Sequence, residues 1–248
     1  MIDVEILTAN RAHKLALTLQ SLGFQVWRDF RINIYDNGEV SVLEDEDVRN
    51  IIDWLVYWRK IDVLYQRVER KSLVEMRYDI FKKHIGRRFC VMDDDIILEP
   101  DTLDKLAETV GKYRYVVPVC LDIVNLLEHK DYSREVISVR QALKLSDGLK
   151  RHRLYKEDRE IEVKYADLST VMFREDALEG IDWKGYFSSE LWTEGIALTA
   201  IVGLGCLRTG AVSYHNTSRQ WFRDWRNKLD VFKKKEIEKY EDSSDISS

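Results

Sequence analysis

The stretch FCVMDDDIILEPDTL (residues 89–103) decides the reading of this chain. An apolar run ends in Asp93, Asp94 and Asp95, and apolar residues resume at Ile96. Like charges about 4 Å apart repel by roughly 4 kcal/mol at an effective dielectric near 20. Water, basic side chains, shared protons or a metal ion must offset that cost. If residues 88–95 form one strand, side chains alternate, so Asp93 and Asp95 share a face and Asp94 takes the other. Two carboxylates converging at a strand end suit a hard divalent cation such as Mg²⁺ or Mn²⁺, which keeps waters or binds substrate phosphates as well. The competing reading is a solvated acidic turn, with Asp101 and Asp104 capping the helix that follows.

The flanking sequence gives the triplet a context. Residues 4–10 read as a strand, and 11–23 as a helix with Leu15, Leu19 and Leu22 on one face. Further strands are expected at 31–39, 61–68, 88–95 and 115–124, with helices at 44–58, 71–86 and 100–113. Asp36-Asn37-Gly38 is strong turn chemistry. This alternation predicts an α/β fold, with a central, mostly parallel sheet flanked by helices. In such sheets ligands bind at the carboxyl ends of the strands. Thr8 to Arg11, Asp36 to Gly38 and Asp93 to Asp95 all fall at expected strand ends.

Later segments are less regular. A strand is expected within 163–176, a helix within 187–205 that turns apolar after Glu194, a strand at 208–216 and an amphipathic helix at 218–240. Residues 241–248 read as a frayed tail. The charged stretch 125–164 has no assigned structure. The expected organisation is a single domain of two halves, 1–120 and 121–240, followed by the tail.

Composition narrows the function. The chain has 248 residues, 45% hydrophobic and 33% charged, with a net charge of −5. These values describe a globular chain and argue against a general nucleic-acid binder. Cys90, Cys120 and Cys206 lack metal-ligand spacing and read as reduced core thiols. The first residues do not form a signal peptide, because Asp3 and Glu5 interrupt any apolar core. The longest apolar run, 196–207, is too short to cross a bilayer. The expected location is cytoplasmic. The aromatic and basic residues of 218–240 are also compatible with peripheral contact at the inner membrane face.

The segments VEILTANR, NIYDNG, CVMDDDIILEPDTL, SELWTEGIAL, SYHN and RNKL, in that order, resemble the inverting family-two glycosyltransferases of GT-A fold. The resemblance covers roughly residues 1–120 and 167–230. It implies a Rossmann-like GT-A fold and a UDP- or GDP-sugar donor, with residues 1–120 binding the donor and 121–240 carrying the acceptor side and catalytic base. Thr8, Ala9, Asn10 and Arg11 would lie at the nucleotide, with Asp36 on the base or ribose. Arg77 matches an arginine in the helix before the metal strand. Asp93 and Asp94 would also face the donor. Asp93 and Asp95 would frame Mn²⁺ or Mg²⁺, with Asp95 the direct ligand, and His215 would bind the metal or the diphosphate. Glu194 matches the catalytic base, with Gly195 where a second acid is usual and Glu190 one turn earlier as the fallback. Arg219, Trp221 and Arg223 would contact the diphosphate or the acceptor, which is a glycan, a lipid-linked molecule or a protein.

Each residue also has a plainer reading. Asn10 caps the first helix, Asp36 serves its own turn, Arg77 is solvated or paired, and the last helix docks on the core through its aromatic face. Two other functions stay open. A nucleotidyltransferase would use the same metal site, but would normally want a glycine-rich loop after the first strand. A non-catalytic nucleotide-sugar-binding or assembly module fits Gly195 beside Glu194.

Overall fold

The computed structural model describes residues 1–69, 71–122, 158–163, 166, 168–181, 183, 202–203 and 205–215. Strand β1 (Ile2–Thr8) is followed by helix α1 (Ala12–Gly23), β2 (Phe30–Asp36), α2 (Glu46–Asp53), β3 (Val63–Arg67) and α3 (Leu73–Lys83). The chain continues through β4 (Phe89–Asp93), β5 (Ile96–Leu98), α4 (Thr102–Val110) and β6 (Tyr115–Asp122). Three further strands are described, β7 (Glu160–Val163), β8 (Thr170–Phe173) and β9 (Gly205–His215). A π-helical turn, Trp54–Trp58, extends α2.

The described strands form one sheet in the order β3-β2-β1-β4-β8-β6-β9-β5, with β7 paired to β9. The first half is parallel: β3 on β2, β2 on β1, and β1 on β4. The expectation of a mostly parallel sheet fails beyond β4. Strands β4–β8, β6–β8, β5–β9 and β7–β9 pair antiparallel, and only β6–β9 returns to parallel. The sheet is mixed. Hydrophobic pattern reveals that a strand such as Thr170–Phe173 is buried on both faces, but carries no information about its direction.

The two faces are covered differently. Val4, Ile6, Ile32, Ile34, Cys90 and Met92 pack with α1, α2 and α4 through Leu15, Leu19, Val48, Leu103 and Leu106. On the opposite face Leu7, Tyr35, Phe89 and Val91 meet α3 through Met76, Ile80 and Phe81. Burying each such large side chain contributes about 1.5–3 kcal/mol.

Local chemistry sets the helix ends. Ser72 and Glu75 form a reciprocal capping box at α3, and Asp45 accepts from the Val48 amide at α2. Asp101 does not cap α4; it pairs with Lys105 one turn along. After α3 the chain turns through Gly86, whose φ of 76° suits a residue without a Cβ. Cys90 and Cys206 are buried, Cys120 is half-buried, and all three are free.

A polar group is sealed beneath α3. His84 Nε2 lies 2.6 Å from Glu5 Oε1, which also accepts from Asn33 Nδ2 at 2.7 Å. His84 stacks on Phe89 with ring centroids 4.5 Å apart. Arg31 pairs with Asp3 on the neighbouring strand position. This arrangement fixes the C-terminal end of α3 against β1. Replacing His84 by Leu removes one member of a buried pair and leaves the Glu5 carboxylate without its imidazole partner. The expected loss of unfolding free energy is about 3–5 kcal/mol, read as a lowered urea midpoint at unchanged slope. A loss below about 1 kcal/mol would show that α3 is held by apolar packing alone.

Candidate active site

Register places the candidate residues. Thr8 lies opposite Asp36, and Leu7 opposite Asp93, so the carboxyl ends of β2, β1 and β4 are level. On the far side β5 and β9 pair with Ile96 opposite His215. That ladder delivers an imidazole from the last described strand to the end of the acidic triplet.

Strand β4 ends at Asp93, not at Asp95. The Asp93 amide donates to Ser169 O at 2.9 Å, and the next two aspartates form a turn before β5. Strand alternation therefore cannot orient Asp94 and Asp95. The turn sends Asp94 toward β1 and α1, where Thr8 Oγ1 donates to its Oδ2 at 2.7 Å. Thr18 Oγ1 donates to the Asp94 carbonyl at 2.8 Å. Asp95 returns to the side of Asp93 and meets His215 Nε2 at 3.2 Å through its Oδ1. Asp93, Asp95 and His215 each offer one ligand atom, and those atoms lie within 4.8 Å of one another.

The repulsion within the triplet is offset by basic side chains. Arg11 pairs with Asp94 through its Nε and Nη2, and its Nη1 donates to Asp95 Oδ2 at 3.2 Å. Lys14 Nζ reaches the same Asp95 oxygen at 3.3 Å. Arg77 Nη2 donates to Asp93 Oδ1 at 2.7 Å from α3. Of the offsets open from sequence, basic side chains are one that the structure supplies.

The three acids titrate differently. Burial raises Asp94 to about 6, against the pull of Arg11 and Thr8 and with the help of its two acidic neighbours. Burial also raises Asp93, and Arg77 opposes it. For Asp95, burial acts upward but is outweighed by His215, Arg11 and Lys14, which bring it down to about 2.

The other strand-end residues do structural work. Asp36 is fully buried, and its carboxylate accepts from the Gly38 and Val42 amides, Tyr65 Oη and Arg67 Nη1 at 2.8–2.9 Å. Three of these bonds fall on Oδ2 and one, from Gly38, on Oδ1, so the carboxylate holds its own turn. Ala9 and Asn10 are exposed after β1. Asn10 does not cap α1. At φ 57° its Oδ1 accepts from the Glu39 amide at 2.8 Å and the Val40 amide at 3.3 Å. A Cβ at Gly38 would sit 2.7 Å from the Asn10 nitrogen, so glycine is what lets the two loops meet.

Lys14, Tyr65 and Arg67 were not anticipated. Lys14 stands three residues after Arg11, a spacing that puts both on one side of a helix's first turn, and this was the available signal. Tyr65 and Arg67 alternate on β3, but nothing in sequence reveals that β3 lies beside β2. A second group, Asp3, Glu5 and His84, also has metal-ligand spacing. Its acids are already engaged by Arg31, Asn33 and His84, enclosed between the sheet and α3. Glu190, Glu194, Gly195, Arg219, Trp221 and Arg223 lie outside the described residues, as do the helix expected at 218–240 and the tail.

With this geometry the chain can be set beside known structures. Residues 1–183 and 202–215, where described, follow a recognisable plan. The fold is GT-A-like. A structure of S. aureus TarS 1-349 in complex with UDP-GlcNAc superposes with a TM-score of 0.59 at 16% identity, covering 88% of this chain and 59% of that one. GalNAc-T7 with UDP, GalNAc and Mn²⁺ gives a TM-score of 0.62 at 14% identity, covering 88% and 44%. TarS 1-349 in complex with UDP gives 0.57 at 15% identity, covering 93% and 65%. The chain thus spans less than two thirds of the length of each of these proteins. No protein-family model and no curated protein matches the sequence. Among the described residues no helix is long and apolar enough to cross a membrane.

The depressed Asp95 gives a pH prediction. A carboxyl whose folded pKa is lowered contributes stability that is present above its unfolded value, near 3.8, and lost as pH falls toward about 2. The stability difference between wild type and Asp95→Asn, measured by urea unfolding in chelator, should shrink as pH drops through that window. A difference that stays constant with pH would contradict the ion pairs assigned to Asp95.

Proposed function

We propose that this chain is a metal-dependent glycosyltransferase that moves a sugar from a nucleoside-diphosphate sugar to an acceptor hydroxyl with inversion. One observation carries the proposal: Asp93, Asp95 and His215 converge at the carboxyl end of the parallel half-sheet, beside the loop that follows β1. The GT-A-like fold supports it, since proteins of similar fold have been crystallised with UDP-GlcNAc, or with UDP and Mn²⁺.

Two carboxylate oxygens and one imidazole nitrogen form a donor set that fits Mn²⁺, and Mg²⁺ through its oxygens. Asp95 and His215 already stand 3.2 Å apart, a separation two ligands of one ion can share. When bound, such an ion would neutralise charge on the departing diphosphate. The protein's own residues do the rest in this reading. Ala9, Asn10 and Arg11 border the nucleotide from the β1 loop. Thr8 and Asp36 act indirectly, Thr8 by fixing Asp94 and Asp36 by fixing the turn on which Asn10 rests. Arg77 orients Asp93.

Glu194 takes the proton of the acceptor hydroxyl, with Glu190 as the second candidate. The acceptor oxygen then bonds to the anomeric carbon while the bond from that carbon to the diphosphate oxygen breaks. Arg219, Trp221 and Arg223 are proposed contacts to the diphosphate or the acceptor. A glycan, a lipid-linked molecule or a protein serves as acceptor.

The test is a panel of UDP- and GDP-sugars with Mn²⁺, read by binding and by slow hydrolysis of the donor. Binding should require the metal and fall at least tenfold in Asp95→Ala. Removal of the base in Glu194→Ala should lower transfer by roughly 10²–10⁴-fold with donor binding retained. Donor binding untouched by Asp95→Ala would overturn the metal-bridged reading. Release of pyrophosphate from a nucleoside triphosphate would instead favour nucleotidyl transfer.

A further inference from the structure

We propose that Lys14 is a diphosphate ligand, held on Asp95 until a cation releases it. The inference rests on the nucleotide-sugar reading above and adds a residue to it.

Lys14 and Arg11 both come from the start of α1 and converge on the same oxygen, Asp95 Oδ2, at 3.3 and 3.2 Å. Their other ties differ. Arg11 also grips Asp94 with its Nε and Nη2, and a guanidinium bound through several donors is fixed in place. Lys14 has Asp95 as its single ion-pair partner among the described residues, and part of its side chain reaches solvent. A flexible stem carrying a compact charge can change partners where the anchored arginine cannot.

Charge balance says when that change occurs. Asp93, Asp94 and Asp95 face Arg11, Lys14 and Arg77, three carboxylates against three permanent cations. Counted with His215 as the neutral imidazole that binds metals, the cluster is balanced before any ion arrives. A divalent cation taken up by Asp93, Asp95 and His215 would draw Asp95 away from Lys14. It would also leave the cluster with two positive charges in excess. A nucleoside-diphosphate sugar carries one negative charge on each of its two phosphates, which restores the balance. The start of α1 adds to the pull. Arg11 makes no side-chain cap there and the first turn of the helix holds no acid, so the positive end of the helix dipole also favours an anion.

The experiment measures three affinities in wild type, Lys14→Met and Lys14→Arg: UDP with Mn²⁺, UMP with Mn²⁺, and Mn²⁺ alone, with GDP and GMP in parallel. In Lys14→Met, UDP should bind at least tenfold more weakly while UMP changes little, so the preference for the diphosphate collapses. Mn²⁺ alone should bind as well as before or more tightly, because Asp95 loses a competitor. Lys14→Arg should recover most of the UDP affinity. UDP binding that is unchanged in Lys14→Met would overturn the inference and leave Lys14 as a structural ion pair. Equal losses for UDP and UMP, or a loss of Mn²⁺ affinity, would overturn it as general damage to the site. Wild type that binds neither UDP nor GDP would instead overturn the functional reading itself.

Discussion

Three adjacent carboxylates at the end of a buried strand need positive charge, and much of the surrounding architecture supplies it. The guanidinium of Arg11 and the ammonium of Lys14 come from α1 and Arg77 comes from α3, while β9 brings the His215 imidazole beside Asp95. These elements lie on both faces of the sheet and at its far side. The site is therefore a meeting point of the whole fold and not a property of one loop. That dependence explains why α3 is tied to β1 through His84 and Glu5. Arg77 reaches Asp93 only if the helix that carries it is held in register with the strand.

The same charges divide into two kinds of work. Asp94 is buried, bonded to Thr8 and gripped by Arg11, and it locks the β1 and β4 ends together. Asp95 is pulled toward the ionised form by the bases around it, which suits the cation-ligand role proposed for it. Asp93 stands between these cases, partly exposed and held by Arg77. A triplet of one residue type thus gives a structural acid, the acid proposed as cation ligand and a second acid oriented by an arginine. Environment, rather than residue identity, separates them.

Much of this was legible in the sequence, and the reasons for the remainder are physical. The strand–helix alternation through residue 122 was readable, except for the short β5, because helix and strand periods are local. The coincidence of Thr8, Asp36 and Asp93 at strand ends followed from that alternation. Strand direction beyond β4 was not readable, because the buried run Thr170–Phe173 reads identically in either orientation. The split of the triplet was expected from alternation and is instead produced by a turn after Asp93. Pairing of His215 with Asp95 depends on the β5–β9 ladder, a contact more than a hundred residues apart in sequence. Asp36 looked like a donor contact because turn aspartates and ligand aspartates are chemically alike. Its four partners show that it serves the turn, a role that sequence could not separate from a donor contact.

The central claim is that Asp93, Asp95 and His215 form a cation site shared with a diphosphate. Crystals grown with Mn²⁺ and UDP, with anomalous data collected at the manganese edge, test it most directly. The account predicts one strong anomalous peak within bonding distance of Asp95 and His215, with the diphosphate on its open side near Arg11 and Lys14. A peak at Asp3, Glu5 and His84, or a diphosphate bound away from the ends of β1 and β4, would contradict it.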